Sequence, residues 1–157
     1  DEGFILVAGG THGHKPLFDA LARSDLHNIV LQTGKVDPKP YIQRHPEWTA
    51  FTVTYEFSKY LAGAQLVVTH LGVTVLEAIV HKKPVVIVPN PEWTRTGGPE
   101  DAEHLAKKVN AVLVSEMNQE AILEAIQEAK TRTVPDLPDG AQNLADTIIK
   151  FLEKRLQ

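Results

Sequence analysis

The stretch LVVTHLGVTVLEAIVHKKPVVIVPN, residues 66–90, predicts a strand, a tight turn, a short helix, a second turn and a second strand. Its two apolar runs, 66–69 and 85–88, are rich in β-branched residues and hardly alternate with polar ones. Such runs are typical of strands that are covered on both faces of a parallel sheet. The stretch therefore predicts a βαβ unit with its polar groups at the joints.

The polar joints follow the carboxyl ends of the two predicted strands, where ligands of open α/β sheets bind. His70, Gly72 and Thr74 follow the first strand, and Asn90 follows the second. We take all four as candidate site residues. For His70 the alternative is a histidine whose hydrogen bonds are made to the backbone at the end of a buried strand.

Thr74 and Glu77 form the pattern S/T-x-x-E at the start of the predicted helix. This pattern is a plain capping box, in which both side chains serve only the helix end. The alternative is that the Glu77 carboxylate, beside the positive end of the helix, accepts hydrogen bonds from sugar hydroxyls. The pattern leaves both roles open.

A second candidate site is Gly9-Gly10-Thr11-His12-Gly13, which lies between a predicted strand and a predicted helix. Glycines there allow close approach of a phosphate to backbone N–H groups. The spacing is not G-x-G-x-x-G, which counts against NAD. His12 and His14 also suggest a metal, but two histidines at i, i+2 with no third ligand nearby favour polar loop residues, and we expect no metal and no cofactor.

The segment 90–99 carries several donors that suit a diphosphate. Arg95 has a planar fork for phosphate oxygens, and Thr94 and Thr96 add hydroxyls. The alternative is a solvated surface loop with Trp93 packed against the protein.

Apolar runs alternate with helical patterns along the whole chain, which indicates βα units and a parallel sheet. The strands are expected near 4–8, 29–33, 50–54, 66–69, 85–88 and 111–114, and the helices near 15–23, 56–62, 74–81, 100–109, 118–130 and 141–156. Prolines predict a loop over 35–47 and a spacer over 131–140.

Composition restricts the class of protein. The chain has 157 residues, of which 43% are hydrophobic, so we expect one domain with one core over 1–157. Its formal net charge of −4 gives no basic footprint for nucleic acid. It has no cysteine, which excludes disulfides, and no apolar run approaches the roughly 18 residues of a membrane span. No signal-like segment opens the sequence, and we expect a cytoplasmic location.

The segment 66–90 resembles the donor-binding signature of family 28 glycosyltransferases: a strand, a His or Arg and Gly-rich turn, a Glu on the next helix, then G-K-P and an apolar strand ending in Pro. TVLE (74–77) and THLG (69–72) are similar to motifs of members that transfer N-acetylglucosamine to lipid-linked acceptors, one of them the catalytic subunit of a two-subunit enzyme. The segments ILVAGGTHG (5–13) and LQTGK (31–35) resemble family motifs in the same order.

Two features depart from the family pattern. The turn between His70 and Glu77 has one glycine where the family usually has two, and it is one residue shorter. The family's H-Q or Q-Q pair at the start of the following helix is replaced by Asp101 and Ala102.

The resemblance implies a Rossmann-like, doubly wound parallel sheet that forms one half of a GT-B glycosyltransferase. It further implies a UDP-sugar donor, UDP-N-acetylglucosamine, inversion at the anomeric carbon, and a lipid-linked acceptor supplied by a membrane-anchored subunit. This would make the chain peripheral to a membrane. We assign no general base in this chain. The alternatives are a non-catalytic nucleotide-sugar-binding or regulatory subunit, and an unrelated α/β enzyme such as a sugar epimerase.

The last predicted helix, 141–157, is amphipathic. It carries an apolar stripe at i, i+3, i+4 spacing, made of Ala141, Leu144, Ala145, Ile148, Ile149, Leu152 and Leu156. Most such stripes pack on the parent core. The resemblance instead implies that this helix crosses to another half, which here would be a partner chain.

Overall fold

The computed structural model of the chain describes residues 3–92 and 97–155. Within them, six strands form one sheet in the order β3-β2-β1-β4-β5-β6, and every neighbouring pair is parallel. The strands are β1 (Phe4–Ala8), β2 (Ile29–Gln32), β3 (Thr49–Phe51), β4 (Ala64–Thr69), β5 (Val85–Ile87) and β6 (Val112–Leu113). The predicted Rossmann-like, doubly wound parallel sheet is confirmed.

Helices cover both faces of the sheet. They are α1 (Lys15–Leu21), α2 (Lys39–Arg44), α3 (Phe57–Gly63), α4 (Val73–Val80), α5 (Pro99–Val109), α6 (Gln119–Ala129) and α7 (Gly140–Arg155). One face buries Phe18 of α1 and Ile126 of α6. The other face buries Leu61 of α3, Ile79 of α4 and Val109 of α5. Because both faces are covered, the central strands β1 and β4 are mainly apolar, and the side chains of Leu66, Val67 and Val68 in β4 are fully buried.

The order of the strands reverses between β1 and β4. The chain runs outward from β1 to β3, returns, and places β4 on the other side of β1, with Ala8 paired to Thr69. The loops after β1 and β4 therefore leave the sheet in opposite directions. In doubly wound sheets this divergence opens a crevice at the carboxyl edge, where ligands bind.

The predicted loop over 35–47 is wrong in part, because it contains α2. Its prolines suggested a break, yet Pro40 lies in the first turn, where the missing N–H needs no partner within the helix. Tyr41 fixes this helix against α1, since its side chain is buried and its hydroxyl donates to Asp19 at 2.8 Å.

The spacer 131–139 is held at the opposite edge of the sheet from the crevice. Lys82 donates to Asp136, and Asn110 donates to the carbonyl of Thr133 at 2.8 Å. Val134 and Leu137 pack against the core on the face formed by α3, α4 and α5. The spacer is therefore part of the packed body, although it has no regular secondary structure.

Helix α7 follows this spacer and buries none of its residues. Asp139 precedes the helix and caps it, since its side chain accepts from the N–H of Gln142 at 3.0 Å. The apolar side chains of α7 are about half exposed or more, for example 62% for Leu144 and 53% for Leu152. The stripe residues from Ala141 to Leu152 therefore do not pack on the parent core, and Leu156 lies outside the described residues. Within residues 3–92 and 97–155, no helix is long and apolar enough to cross a membrane.

Candidate functional site

Residues 9–13, here called the glycine loop, make a tight turn at the end of β1. Gly10 and Gly13 have φ angles of +66° and +85°, a region that side chains with a Cβ disfavour. The N–H of Gly13 donates to the carbonyl of Gly9 at 3.1 Å, which closes the turn. Thr11 and His12 are exposed at its tip. The loop thus has a rigid base and a tip that a ligand can reach.

The turn after β2 supports the glycine loop from one side. A Cβ on Gly34 would lie only 2.3 Å from the carbonyl oxygen of Gly10 and 2.5 Å from that of Thr11. Gly34 also has a φ of +58°, and its N–H donates to the carbonyl of Thr52 at 3.0 Å. Sequence reasoning did not place Gly34 in the site. The only signal was its position in the segment QTGK.

His70 lies between the glycine loop and the start of α4. A Cβ on Gly10 would approach Cε1 of His70 to 2.9 Å, and one on Gly72 would approach its Nε2 to 3.2 Å. The glycines on both sides therefore make room for the ring. Burial lowers the pKa of His70, so the imidazole is neutral near pH 7 and has one N–H donor.

The three helices that follow β1, β4 and β5 differ in how their N-termini are capped. His14 accepts a hydrogen bond from α1, and Asp101 accepts one from the N–H of Gly98 at the start of α5, at 2.8 Å. The N-cap of α4 is Gly72, which has no side chain to accept such a hydrogen bond. Because the first N–H groups of a helix attract negative charge, a bound anion at α4 can take the place of a cap.

The capping-box interpretation of Thr74 and Glu77 is therefore wrong. The helix begins at Val73, two residues earlier than a cap at Thr74 requires, so Thr74 already lies inside the first turn. Glu77 is in the second turn and is exposed. A carboxylate there is too far along the helix to cap its first N–H groups, and the ligand role of Glu77 stays a prediction.

His14 is not the polar loop residue that its spacing from His12 suggested. Its side chain is fully buried, and both ring nitrogens make hydrogen bonds within the protein. Burial lowers the pKa of its imidazole, and the nearby His70 lowers it further. No group of three or more His, Asp or Glu side chains among the described residues is arranged to hold a metal ion.

A cavity of about 450 Å³ extends from His70 toward the end of β6. Its walls are mainly apolar and include Leu71, Pro89, Ala102 and Leu113. No lysine or arginine lines it in the part of the chain that the structure describes. The cavity therefore suits the uncharged part of a ligand better than its phosphates. Sequence reasoning missed the contribution of β6, since nothing in the apolar run 111–114 indicates a site.

Asn90 joins the cavity to the glycine loop. Its side-chain amide donates to the carbonyl of Gly13 at 3.4 Å, and its oxygen accepts from the N–H of Glu92 at 3.0 Å. The fold thus brings together the glycine loop, His70, Gly72 and Asn90, with Thr74 and Glu77 on the adjoining helix. Arg95, together with Trp93, Thr94 and Thr96, lies outside the described residues.

The positions of the missing family pair have other uses in this structure. The Asp101 carboxylate caps α5, as described above, and Ala102 is only 2% exposed and has no polar group. Neither side chain replaces the hydrogen bonds that a glutamine pair would offer a ligand.

Comparison with known proteins gives a consistent result. The sequence profile of the glycosyltransferase family 28 C-terminal domain matches residues 4–147. No curated protein sequence matches the chain in a direct comparison. Among solved structures, MurG from Acinetobacter baumannii is 21% identical, with a TM-score of 0.66 over 96% of this chain and 52% of that one. The chain therefore spans about half the length of this MurG.

Two further structures share the fold. The NMR structure of ALG13 is 14% identical, with a TM-score of 0.63 over 90% of this chain and 93% of that one. The UDP-GlcNAc 2-epimerase of Methanocaldococcus jannaschii, solved with UDP-GlcNAc and UDP, is 16% identical, with a TM-score of 0.56 over 96% of this chain and 46% of that one. At these identities the likeness concerns the fold alone.

Proposed function

Since the chain belongs to the glycosyltransferase family 28 C-terminal domain family, we propose that it is the donor-binding part of an inverting glycosyltransferase. Its donor is a UDP-sugar, UDP-N-acetylglucosamine, and its acceptor is lipid-linked and supplied by a membrane-anchored partner. An epimerase unrelated to this family does not fit the match, and the likeness to the archaeal epimerase extends only to the fold.

The observation that carries this proposal is the N-terminus of α4, whose N-cap Gly72 has no side chain to cap it, beside the glycine loop. Both lie at the carboxyl edge where the strand order reverses, with His70 between them. Backbone N–H groups and a neutral imidazole donor are suited to the oxygens of a diphosphate. The N-termini of α1 and α5 are already capped by His14 and Asp101, so α4 is the best of the three for an anion.

These groups would assist the reaction by stabilising the departing UDP. As the bond to the sugar breaks, negative charge builds on the diphosphate, and donors that are already oriented need no rearrangement to meet it. Inversion requires the acceptor hydroxyl to attack from the opposite side of the sugar. The base that removes its proton belongs, in this proposal, to the partner half.

The sugar would extend from the diphosphate toward the cavity beside His70, whose walls carry no cation among the described residues. Glu77 would accept hydrogen bonds from hydroxyls of the donor, since its carboxylate is exposed on the same helix that receives the diphosphate. Thr11 and His12 would contact the phosphates from the tip of the glycine loop, and Arg95 would add a positive charge.

Calorimetric titration tests donor binding directly. UDP and UDP-N-acetylglucosamine are expected to bind more tightly than UDP-glucose, GDP-mannose or NAD. Chemical-shift changes should fall on residues 9–13, 70–77 and 90–98. Changes confined to the opposite edge, near Lys82 and Asn110, would contradict the assignment.

The partner would dock on the apolar stripe of α7. In the described residues of this stripe, Ile148 and Leu152 are 49% and 53% exposed, so neither belongs to the core. Their replacement by Asp should prevent co-purification with a co-expressed membrane-anchored partner and leave UDP affinity unchanged. The chain alone should transfer no sugar. If the chain alone transferred sugar to a lipid-diphosphate acceptor, at a rate that no partner alters, the proposal that catalysis needs a partner chain would be refuted.

A second candidate function is a nucleotide-sugar-binding or regulatory subunit without catalysis. The observation that favours it is the loss of the family pair, because Asp101 is engaged at the start of α5 and Ala102 is buried. Such a subunit would bind UDP-N-acetylglucosamine and show no transfer even with its partner present. An assay of the assembled complex separates the two functions.

A further inference from the structure

His14 makes two hydrogen bonds that connect different parts of the site. Its Nε2 is 3.0 Å from the carbonyl oxygen of Val88, at the end of β5. Its Nδ1 accepts from the N–H of Leu17 at 3.3 Å, in the first turn of α1. The side chain therefore spans from the base of the glycine loop, past the end of β4, to the segment that follows β5.

The two partners fix the protonation state of the ring. A carbonyl oxygen only accepts, so Nε2 carries the proton, and the N–H of Leu17 only donates, so Nδ1 has none. The imidazole is then neutral, which agrees with the lowering of its pKa by burial. Because both ring nitrogens are hydrogen-bonded within the protein, the role of this side chain is structural, and it does not exchange a proton with a substrate.

A second link runs in the reverse direction. Asn90, two residues after Val88, donates to the carbonyl of Gly13 at 3.4 Å. Two side chains therefore join the base of the glycine loop to the segment after β5: His14 from the first and Asn90 from the second. The closed turn from Gly9 to Gly13 lies next to both links.

We infer that His14 is a positioning residue: its link to Val88 holds the glycine loop in the conformation that receives the diphosphate. This inference rests on the proposed function of that loop. A loop that is already ordered does not lose backbone freedom on binding, and the ordering of even one residue weakens binding about tenfold.

Two substitutions separate this link from the helix cap that His14 also provides. Asparagine is a favourable N-cap but is too short to reach Val88, so His14→Asn keeps the cap and breaks the link. Glutamine is long enough to donate to the Val88 carbonyl, so His14→Gln keeps the link and weakens the cap. Ser24→Ala is the matched control, because it removes a buried hydrogen bond, Ser24 Oγ to the carbonyl of Leu21 at 2.6 Å, from the other end of α1.

The test measures amide hydrogen exchange at Gly13 and calorimetric affinity for UDP in all four proteins. His14→Asn should exchange at least tenfold faster at Gly13 and bind UDP about tenfold more weakly, while His14→Gln and Ser24→Ala stay near wild type in both. Wild-type behaviour of His14→Asn, or equal losses in the Asn and Gln variants, would overturn the inference. If the wild-type chain bound no UDP, the proposed function would fail, and the exchange rates at Gly13 would still decide whether His14 holds the loop.

Discussion

The carboxyl edge of the sheet and helix α7 are both recognisable in the sequence, but they differ in how they pack against the rest of the protein. At the edge, the base of the glycine loop and the side chains of His70 and His14 pack against neighbouring loops. In α7, five large apolar side chains are exposed, and the helix buries none of its residues. The edge is held by contacts between residues that are far apart in sequence, whereas the hydrogen bonds described for α7 are local, such as the cap at Asp139 and the bond from Gln142 to Asp146.

This contrast separates a surface that is packed within the described chain from one that is left exposed. The crevice is already formed before any ligand arrives, as expected of a site that binds through preoriented backbone groups. An exposed stripe of aliphatic side chains remains costly in water until something covers it. The stripe is therefore the incomplete surface of this protein, and the predictions below test that division from the largest effect to the smallest.

The largest expected difference is in the free energy of unfolding, when an isoleucine on each of two helices is replaced by alanine. Ile126 of α6 is fully buried and Ile148 of α7 is 49% exposed. Ile126→Ala should lower the free energy of unfolding by about 2–5 kcal/mol through lost burial and a cavity. Ile148→Ala should change it by less than about 0.5 kcal/mol. Chemical denaturation measures both, and an equal loss would show that α7 packs on the body in solution.

Two glycines give the next comparison. Gly34 has a φ of +58° and no room for a Cβ, whereas Gly140 has no heavy atom within 4 Å of an added Cβ. Gly34→Ala should cost at least about 1–2 kcal/mol of stability from the left-handed backbone alone. It should also weaken UDP binding, because the added methyl group displaces the carbonyls of Gly10 and Thr11. Gly140→Ala should leave both measurements at wild-type values. A wild-type UDP affinity in Gly34→Ala would contradict the conclusion that Gly34 supports the glycine loop.

Glu77 tests whether an exposed residue near the edge belongs to the site. Because Glu77 does not cap α4, Glu77→Gln should not change the melting temperature. UDP-N-acetylglucosamine should bind more weakly by at least about 1 kcal/mol, the contribution of one hydrogen bond to a charged group. Differential scanning calorimetry and titration separate the two effects. A lower melting temperature with unchanged affinity would give Glu77 a structural role.

The smallest effect is a dependence of stability on pH that involves the edge and not α7. Burial lowers the pKa of both His14 and His70 below the ordinary value of 6.5. The unfolded chain therefore binds protons more readily than the folded one just below pH 6.5, so stability falls as the pH drops through that window. Denaturation midpoints measured between pH 8 and pH 5 should show this decrease. This decrease in stability should be smaller in His14→Gln, since one of the two histidines with a lowered pKa is gone. If the variant showed the same pH profile as the wild type, His14 would not contribute to the decrease.

Much of the fold was predictable from particular sequence features. Runs such as 66–69 and 85–88 are apolar enough to identify strands covered on both faces, and the predicted helix at 118–130 corresponds to α6 within one residue at each end. The loop over 35–47 was predicted less well. Proline usually marks a break, but here Pro40 lies in the first turn of α2, and the helix packs against α1 through Tyr41.

The candidate site was predictable in place but not in detail. Residues after β1, β4 and β5 had to share one edge once the sheet was parallel, so Gly10, His70 and Asn90 could be placed together. The roles of His14 and Gly34 could not be anticipated. Each depends on an atom from a segment far away in sequence, the carbonyl of Val88 for one and that of Gly10 for the other.

The sequence by itself determined the parallel sheet, the glycine loop and the amphipathic last helix, because these follow from local periodicity and from the conformations that glycine allows. The tertiary structure alone decided that α4 begins after Gly72 and not at a cap on Thr74, that His14 is a buried link, and that the described part of the α7 stripe stays uncovered. The physical reason is that burial and hydrogen-bond partners come from neighbours in space. A pattern along the chain shows which side chains can be buried or paired, but only the folded arrangement supplies what buries or pairs them.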